Sequence, residues 1–498
     1  MNSAETYTSI IPLLAVLVSL IAVPLILLSS KFKNLRESWT ILAALIKFGL
    51  VLSLLPGALA GKAAQCSVLE IFPGIDLSLR ADPFGVFFAL IASGLWIFTS
   101  FYSIGYVRGA PEKKQTRYFA SFAVCLSATI GIAFSANLIS FIIFYEILTI
   151  ATYPLVIHKE TKKAIDAGRK YLIYTLTAGL FLIAAAAWTY QITGTLDFKA
   201  GGLFGSAVLD PRDAVMLFLL FLGGVGVKAG IMPLHSWLPS AMAAPTPVSA
   251  LLHAVAVVKS GVFAVIRVVG FVFGPTMMAK FGLDTILMTL AGITIIVASL
   301  IALRQDNLKK RLAYSTVGHL SYIVLGAALL TAEGFTGGML HIAFHATMKI
   351  TLFFVAGAIY INLHRENISQ LNGIGRVMPW TMGAFTIGAI GLAGIPPING
   401  FVSKWYLGLG AVQADNLIPL GILVLSGLLN AAYFFPIVYI AFFKKGEGLE
   451  GKGEAPLLMV VPIVITATLS LLFGIYPDLF FKFYQLAVNI SAAILGGG

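Results

Sequence analysis

GGVGVKAGIMPLHSWLPSAMAAPTPVSA, residues 223–250, carries one lysine, four prolines and no acidic residue within an otherwise apolar tract. Apolar sequence continues back to Ala214 and forward to Gly270, so the stretch lies where lipid-spanning helices are expected. Proline removes a backbone donor and clashes with the preceding helical turn. In hydrocarbon, such a break is tolerated only where the freed groups meet protein or a water-filled cavity. The stretch therefore predicts a discontinuous helix facing a polar interior, with Lys228 just before the breaks at Pro233 and Pro239. GLAGIPPINGFVSKW, residues 391–405, repeats the design, with Pro396 and Pro397 just ahead of Lys404. Paired interrupted spans point to an inverted-repeat transport site.

The rest of the chain agrees. Of 498 residues, 59% are hydrophobic and 11% charged, against about 25% charged in soluble domains. Runs of about 20 apolar residues, each long enough to cross the bilayer as a helix, recur throughout. Fourteen spans are expected, at 8–29, 39–60, 83–104, 119–136, 137–157, 171–191, 214–233, 249–270, 283–303, 312–331, 335–361, 379–399, 417–443 and 456–475. The fold class is an all-α polytopic membrane protein, with no polar stretch long enough for a soluble domain. The first span has no basic residue before it and no small-residue cleavage site after it, and is read as a span, not a signal peptide. The tail from Pro477 is expected to form an interfacial helix or a short extra span.

Basic residues divide between alternate loops. One side holds 21, from Lys31 to Lys452; the other holds six, Lys62, Arg80, Lys199, Arg212, Lys280 and Lys482. The positive-inside rule places the first side in the cytoplasm and both termini outside. The net charge of +12 is thus a topology signal and does not suggest nucleic acid.

Six basic residues remain in apolar surroundings: Lys47, Lys228, Lys259, Arg267, Lys349 and Lys404. Glu146, in FIIFYEILTI (141–150), is the one acid near the middle of a span. Lys47 and Arg267 lie nearer helix ends, and both are expected to snorkel to the interface. Glu146, Lys228, Lys259, Lys349 and Lys404 have no such escape, and ionisable groups at that depth mark ion or proton paths. The bland alternative is a static ion pair that locks helices together. Four of the seven histidines fall within spans: His253, His319, His341 and His345. HIAFHATMK places His341, His345 and Lys349 at i, i+4 and i+8, one helix face. Imidazole titrates near neutrality and passes protons between its two nitrogens. Zinc is the rival reading, but no Asp, Glu or Cys lies close enough in sequence to complete a tetrahedral set, so no metal and no cofactor is expected.

The breaks fall in the seventh and twelfth spans, five apart. They suggest N-terminal helices in 1–118, one repeat over 119–270, a second over 283–443, and a final helix and tail in 444–498. Gly224, Gly226 and Gly230 lie inside a span without βαβ context, so close helix packing explains them better than dinucleotide binding. VVKSG (257–261) lacks the leading glycine of a phosphate loop, and Cys66 and Cys125 form no redox motif.

RYFASFAVCLSATIGIAFSANLISFIIFYEILTIATYPLV (117–156), KAGIMPLHSWLPSAMAAPTPVSALLHAVAVVKSG (228–261), RQDNLKKRLAYSTVGHLSYI (304–323) and HIAFHATMKITLFFVAGAIY (341–360) together resemble the antiporter-like proton-channel subunits. These occur in respiratory complex I, Mrp-type cation/proton antiporters and membrane-bound hydrogenases. The resemblance covers roughly 80–430 and implies two inverted five-helix repeats with helices 7 and 12 discontinuous. It also implies that Glu146 pairs with Lys228, that Lys259 continues the axis with His253 beside it, and that His319, His341, His345 and Lys349 link two half-channels ending at Lys404. Some complex I members carry glutamate at that last position, so the lysine argues against that branch, and the histidine ladder favours the Mrp-type and hydrogenase-associated members together with the distal complex I subunit.

The expected function is proton translocation within a hetero-oligomeric complex of the prokaryotic cytoplasmic membrane, with H+ and possibly Na+ as the ions moved. The closest expected role is that of the D-type Mrp antiporter component or the equivalent hydrogenase pump subunit, with a proton-pumping complex I component as alternative. A stand-alone solute carrier and a purely structural subunit are the other classes. Any oxidoreductase activity belongs to partner subunits, because this chain carries no redox motif.

Overall fold

The computed structural model of the protein describes residues 5–110, 112–205 and 209–496. Among these, eleven helices are long and apolar enough to cross a membrane. The three other expected spans are helical but marked by polarity or a break. Pro211–Ala229 carries Arg212, Asp213 and Lys228; Leu308–Ala328 begins with Lys309, Lys310 and Arg311; Pro379–Ala393 stops after 15 residues.

Both interruptions follow one local rule. Pro211–Ala229 ends on Gly230 at φ 71°, and Pro379–Ala393 ends on Gly394 at φ 88°. A left-handed residue closes a helix by turning its last carbonyls aside, and glycine adopts it without a Cβ clash. After the first break the chain makes only a short helical piece, Trp237–Ser240 and a 3₁₀ turn to Ala243. After the second it makes a full half-helix, Asn399–Gln413, which carries Lys404. That half-helix lies beyond the expected end of the twelfth span at 399, because the proline pair hid its continuation.

The two five-helix sets match in length. In the first set, the unbroken helices Gln115–Phe134, Leu138–Val156, Lys162–Thr193 and Thr246–Phe273 have 20, 19, 32 and 28 residues. In the second, Leu283–Leu303, Leu308–Ala328, Ala332–Leu363 and Leu417–Phe443 have 21, 21, 32 and 27. The broken helix is the fourth member of each. The second helix of each set is N-capped by asparagine, Asn137 accepting from Ser140 N and Asn307 from Lys310 N. Each asparagine also bridges the loop after its third helix, at Asp197 and Asn367. Asn307 and Asn367 stand among Arg304, Lys309, Lys310, Arg311 and Arg365, whereas Asn137 and Asp197 lie at the opposite, base-poor end. The repeats are therefore inverted.

Thr246–Phe273 and Ala332–Leu363 are wholly enclosed by protein over their apolar windows. They form the centre, and they carry His253, Lys259, His341, His345 and Lys349. Thr246–Phe273 contains two π-helical turns, Leu251–Val255 and Val268–Phe273, the kind of local widening that often accompanies functional positions.

One region departs from the all-helical expectation. Ala63–Phe72 and Ile75–Ala81 form an antiparallel hairpin, and Thr6–Thr8 adds to it in parallel. The tail forms the helix Phe483–Gly496, packed on Ala332–Leu363 and Pro83–Gly109.

Candidate functional site

Lys228 stands in the last turn of Pro211–Ala229, fully buried. Its Nζ donates to the Tyr145 carbonyl at 2.6 Å and lies 3.3 Å from the centre of the Tyr145 ring. Glu146 follows Tyr145, but successive helical residues point about 100° apart, so its carboxylate faces elsewhere. A Cβ placed on Gly179 would lie 2.6 Å from Glu146 Oε1, so the carboxylate packs against the helix Lys162–Thr193. The implied Glu146–Lys228 ion pair is thus not a direct contact: no N–O approach within 4.0 Å joins them among the described residues. Oε1 has no hydrogen-bond partner there either.

The second group is joined by hydrogen bonds except at one ring stack, His345 on His319. Lys259 Nζ lies 2.8 Å from His345 Nδ1. The His345 ring stacks 5.2 Å from the His319 ring, and His319 Nδ1 is 3.1 Å from His341 Nε2. His341 Nδ1 meets Ser403 Oγ at 2.8 Å, one residue from Lys404. Lys404 Nζ donates to the free carbonyls of the first half-helix, Leu392 at 2.7 Å and Ala393 at 3.1 Å. These carbonyls are the negative end of a helix dipole, a favourable seat for a cation. The break thus builds the lysine's site directly.

Lys349 departs from this line. Positions eight apart drift by about 80° around a helix, which turns Lys349 toward Leu308–Ala328. It donates to Leu312 O at 3.2 Å and Ser315 Oγ at 2.8 Å. His253 sits in the π-helical turn against Phe353 at 4.9 Å, with neither ring nitrogen partnered among the described residues. It is beside the histidine line, not in it.

Two expectations are overturned. Lys47 does not snorkel: it is 0% exposed, its Nζ is unpartnered, and it lies 5.5 Å from the Trp96 ring. Arg267 is 1% exposed and makes two bonds to Asp82, at 2.6 and 2.7 Å, inside a cage of phenylalanines. Both sit in helices packed on neighbouring helices, so no route leads their side chains to the interface. Residues that sequence reasoning missed include Ser403, Ser315, Tyr322, Asn430 and Tyr433. Asn430 was visible as the lone amide in GLLNAAYFF (427–435).

A family model described as NADH:quinone oxidoreductase/Mrp antiporter, TM, matches residues 135–430, more than half of the chain. The chain belongs to this family. The matched stretch of the NADH:quinone oxidoreductase/Mrp antiporter family spans every residue of the buried line, from Glu146 to Lys404. An NADH-quinone oxidoreductase subunit (type N) of Desulforudis audaxviator is 30% identical, over 82% of this chain and 83% of that protein. A Na(+)/H(+) antiporter subunit (type D) of Alkalihalophilus pseudofirmus is 28% identical, over 84% and 83%. A chain of the membrane-bound sulfane sulfur reductase, an archaeal respiratory membrane complex, superposes with a TM-score of 0.87 at 25% identity, covering 98% of this chain and 100% of that one. This member of the family is a multi-pass membrane protein whose relatives are subunits of membrane complexes.

Proposed function

We propose that the chain translocates protons as one subunit of a multisubunit complex in a prokaryotic cytoplasmic membrane, with both termini on the outer face. Its nearest role is that of the D-type component in an Mrp-type Na+/H+ antiporter, or of the corresponding pump subunit of a membrane-bound hydrogenase. The observation that carries this reading is the buried chain Lys259–His345, then His319–His341–Ser403, ending beside Lys404 on a broken helix. The functional unit is two inverted repeats, 119–270 and 283–443, each contributing a half-channel.

A carboxylate near a buried amine favours its charged form, and withdrawal of that carboxylate favours release of the proton. Glu146, held off Lys228 by one helical step, is placed for such a swing. The proton released by Lys228 passes toward Lys259 and the histidines, and Lys404 exchanges with one side beside the broken twelfth helix. The experiment is proton transport by the assembled complex in vesicles: Glu146→Ala and Lys404→Ala each abolish it while the complex still assembles. Wild-type transport by either variant would overturn the path.

A complex I-type proton-pumping subunit is the second reading, favoured by the 30% identity with the type N quinone oxidoreductase component. Sodium-dependent proton exchange without any electron donor separates the antiporter from it.

A further inference from the structure

The proton line leaves one polar cluster unused. Ser315, Tyr322, Asn430 and Tyr433 are buried between Lys349 and Lys404. Lys349 Nζ bonds Ser315 Oγ at 2.8 Å, and Ser315 Oγ lies 3.0 Å from the Tyr433 hydroxyl. Tyr433 in turn bonds Asn430 Oδ1. Asn430 Nδ2 donates to the Tyr322 hydroxyl at 3.2 Å and to Leu392 O at 3.1 Å. Leu392 O is the same carbonyl that Lys404 holds at 2.7 Å. An unbroken set of hydrogen bonds therefore joins the two lysines without passing through a histidine.

One atom fixes every direction along it. A carbonyl only accepts, so Leu392 O requires the NH2 face of Asn430, and Oδ1 must then face Tyr433. Oδ1 also only accepts, so the Tyr433 hydroxyl is the donor there, and it shares its single proton between Oδ1 and Ser315 Oγ. Ser315 Oγ accepts from both Lys349 and Tyr433. A hydroxyl can pass its proton on and take another. The amide cannot, because both its protons are committed to N–H bonds and its oxygen holds none.

Resting on the proton-translocation reading above, we propose that Asn430 is a proton-insulating positioning residue. It holds Lys349 and Lys404 in one hydrogen-bonded frame while blocking proton exchange between them. Proton flow is thereby confined to the histidine line, and the bridge keeps Leu392 O aimed at Lys404.

The test measures collapse of an imposed pH gradient in vesicles holding the whole complex, with no transported cation and no electron donor. Asn430→Asp supplies a carboxyl that accepts a proton from Tyr433 and gives one directly to a neutral Lys404 amine, its neighbour on Leu392 O, without passing through that carbonyl. It should speed the leak several-fold, and Tyr433→Phe added to it should return the leak to the wild-type level. Asn430→Ser, a hydroxyl with room for a water, should leak likewise and serves if the aspartate variant fails to assemble. Vesicles with either variant as tight as wild type, or a leak that survives Tyr433→Phe, would overturn the insulation. Glu146→Ala in the same vesicles separates the two readings: if it transports normally, the translocation reading falls. If it is inactive while either Asn430 variant stays tight, only the insulation falls.

Discussion

Lys259 Nζ and His345 Nδ1 lie 2.8 Å apart in the wholly enclosed centre of the protein. An amine and an imidazole at that distance share a single hydrogen, so removing either side chain breaks the same link. Groups that act as a unit give non-additive losses when removed. Lys259→Ala and His345→Ala should each lower proton flux by about 10² or more, the scale of a lost proton-transfer partner. The double variant should be no worse than either single one. Additive losses, measured as initial rates of vesicle acidification, would show the two to act separately.

Two glycines test the packing that sets the line. A methyl on Gly261 would fall 2.2 Å from Ala229 N and 2.3 Å from Lys228 C, both backbone atoms that cannot retreat alone. Gly261→Ala should cost at least about 1–3 kcal/mol, the usual scale of core overpacking, and be seen as a lower Tm of the solubilised complex. A methyl on Gly179 meets the Glu146 carboxylate instead, at 2.6 Å. That neighbour is the end of a flexible side chain. Gly179→Ala should therefore leave Tm nearly unchanged and slow transport by displacing Glu146. Equal Tm losses in both variants would contradict the assignment.

The contrast shows what was legible beforehand. Depth along a helix follows from sequence position, so Glu146, Lys228, Lys259 and the histidines were found from their place within apolar runs. Azimuth does not follow as readily. Whether Lys228 meets Glu146 or Tyr145 depends on about 100° of rotation and on how closely three helices approach. Lys404 was found by its proline pair, yet the helix that carries it was hidden by the same prolines. Asn430 and Tyr433 were missed because single polar residues in an apolar span have no periodicity of their own. The hairpin of residues 63–81 did carry a signal, a Pro73–Gly74 turn followed by the alternating IDLSL (75–79), which the expectation of an all-helical chain overrode.

Lys47 offers a stability test away from the proton line. It is fully buried with an unpartnered Nζ, 5.5 Å from the centre of the Trp96 ring, whose Nε1 is also unpartnered among the described residues. Replacing a poorly compensated buried charge by an apolar group of similar volume is often neutral or stabilising. Lys47→Met should raise or preserve Tm and leave transport intact. A fall of Tm, or loss of transport with assembly retained, would mean that the amine serves a function.

His158 supplies a pH test outside the spans. It follows the helix Leu138–Val156, and burial pushes its pKa down to about 4, with Arg117 adding to the effect. Glu112 Oε2 lies 3.9 Å from Nε2, and Glu160 and Lys159 are the other charges that act on the ring. In the unfolded chain the same imidazole titrates near 6.5. The unfolded state therefore binds the proton first as pH falls, so the contribution of His158 is fully present above about pH 6.5. It is lost progressively between there and about pH 4. Burial raises the Glu112 carboxyl, and that group works in the opposite sense, so wild type alone does not isolate the histidine. His158→Gln should flatten the fall of Tm between pH 6.5 and pH 4 relative to wild type. An unchanged slope in that variant would show that the ring titrates equally in both states.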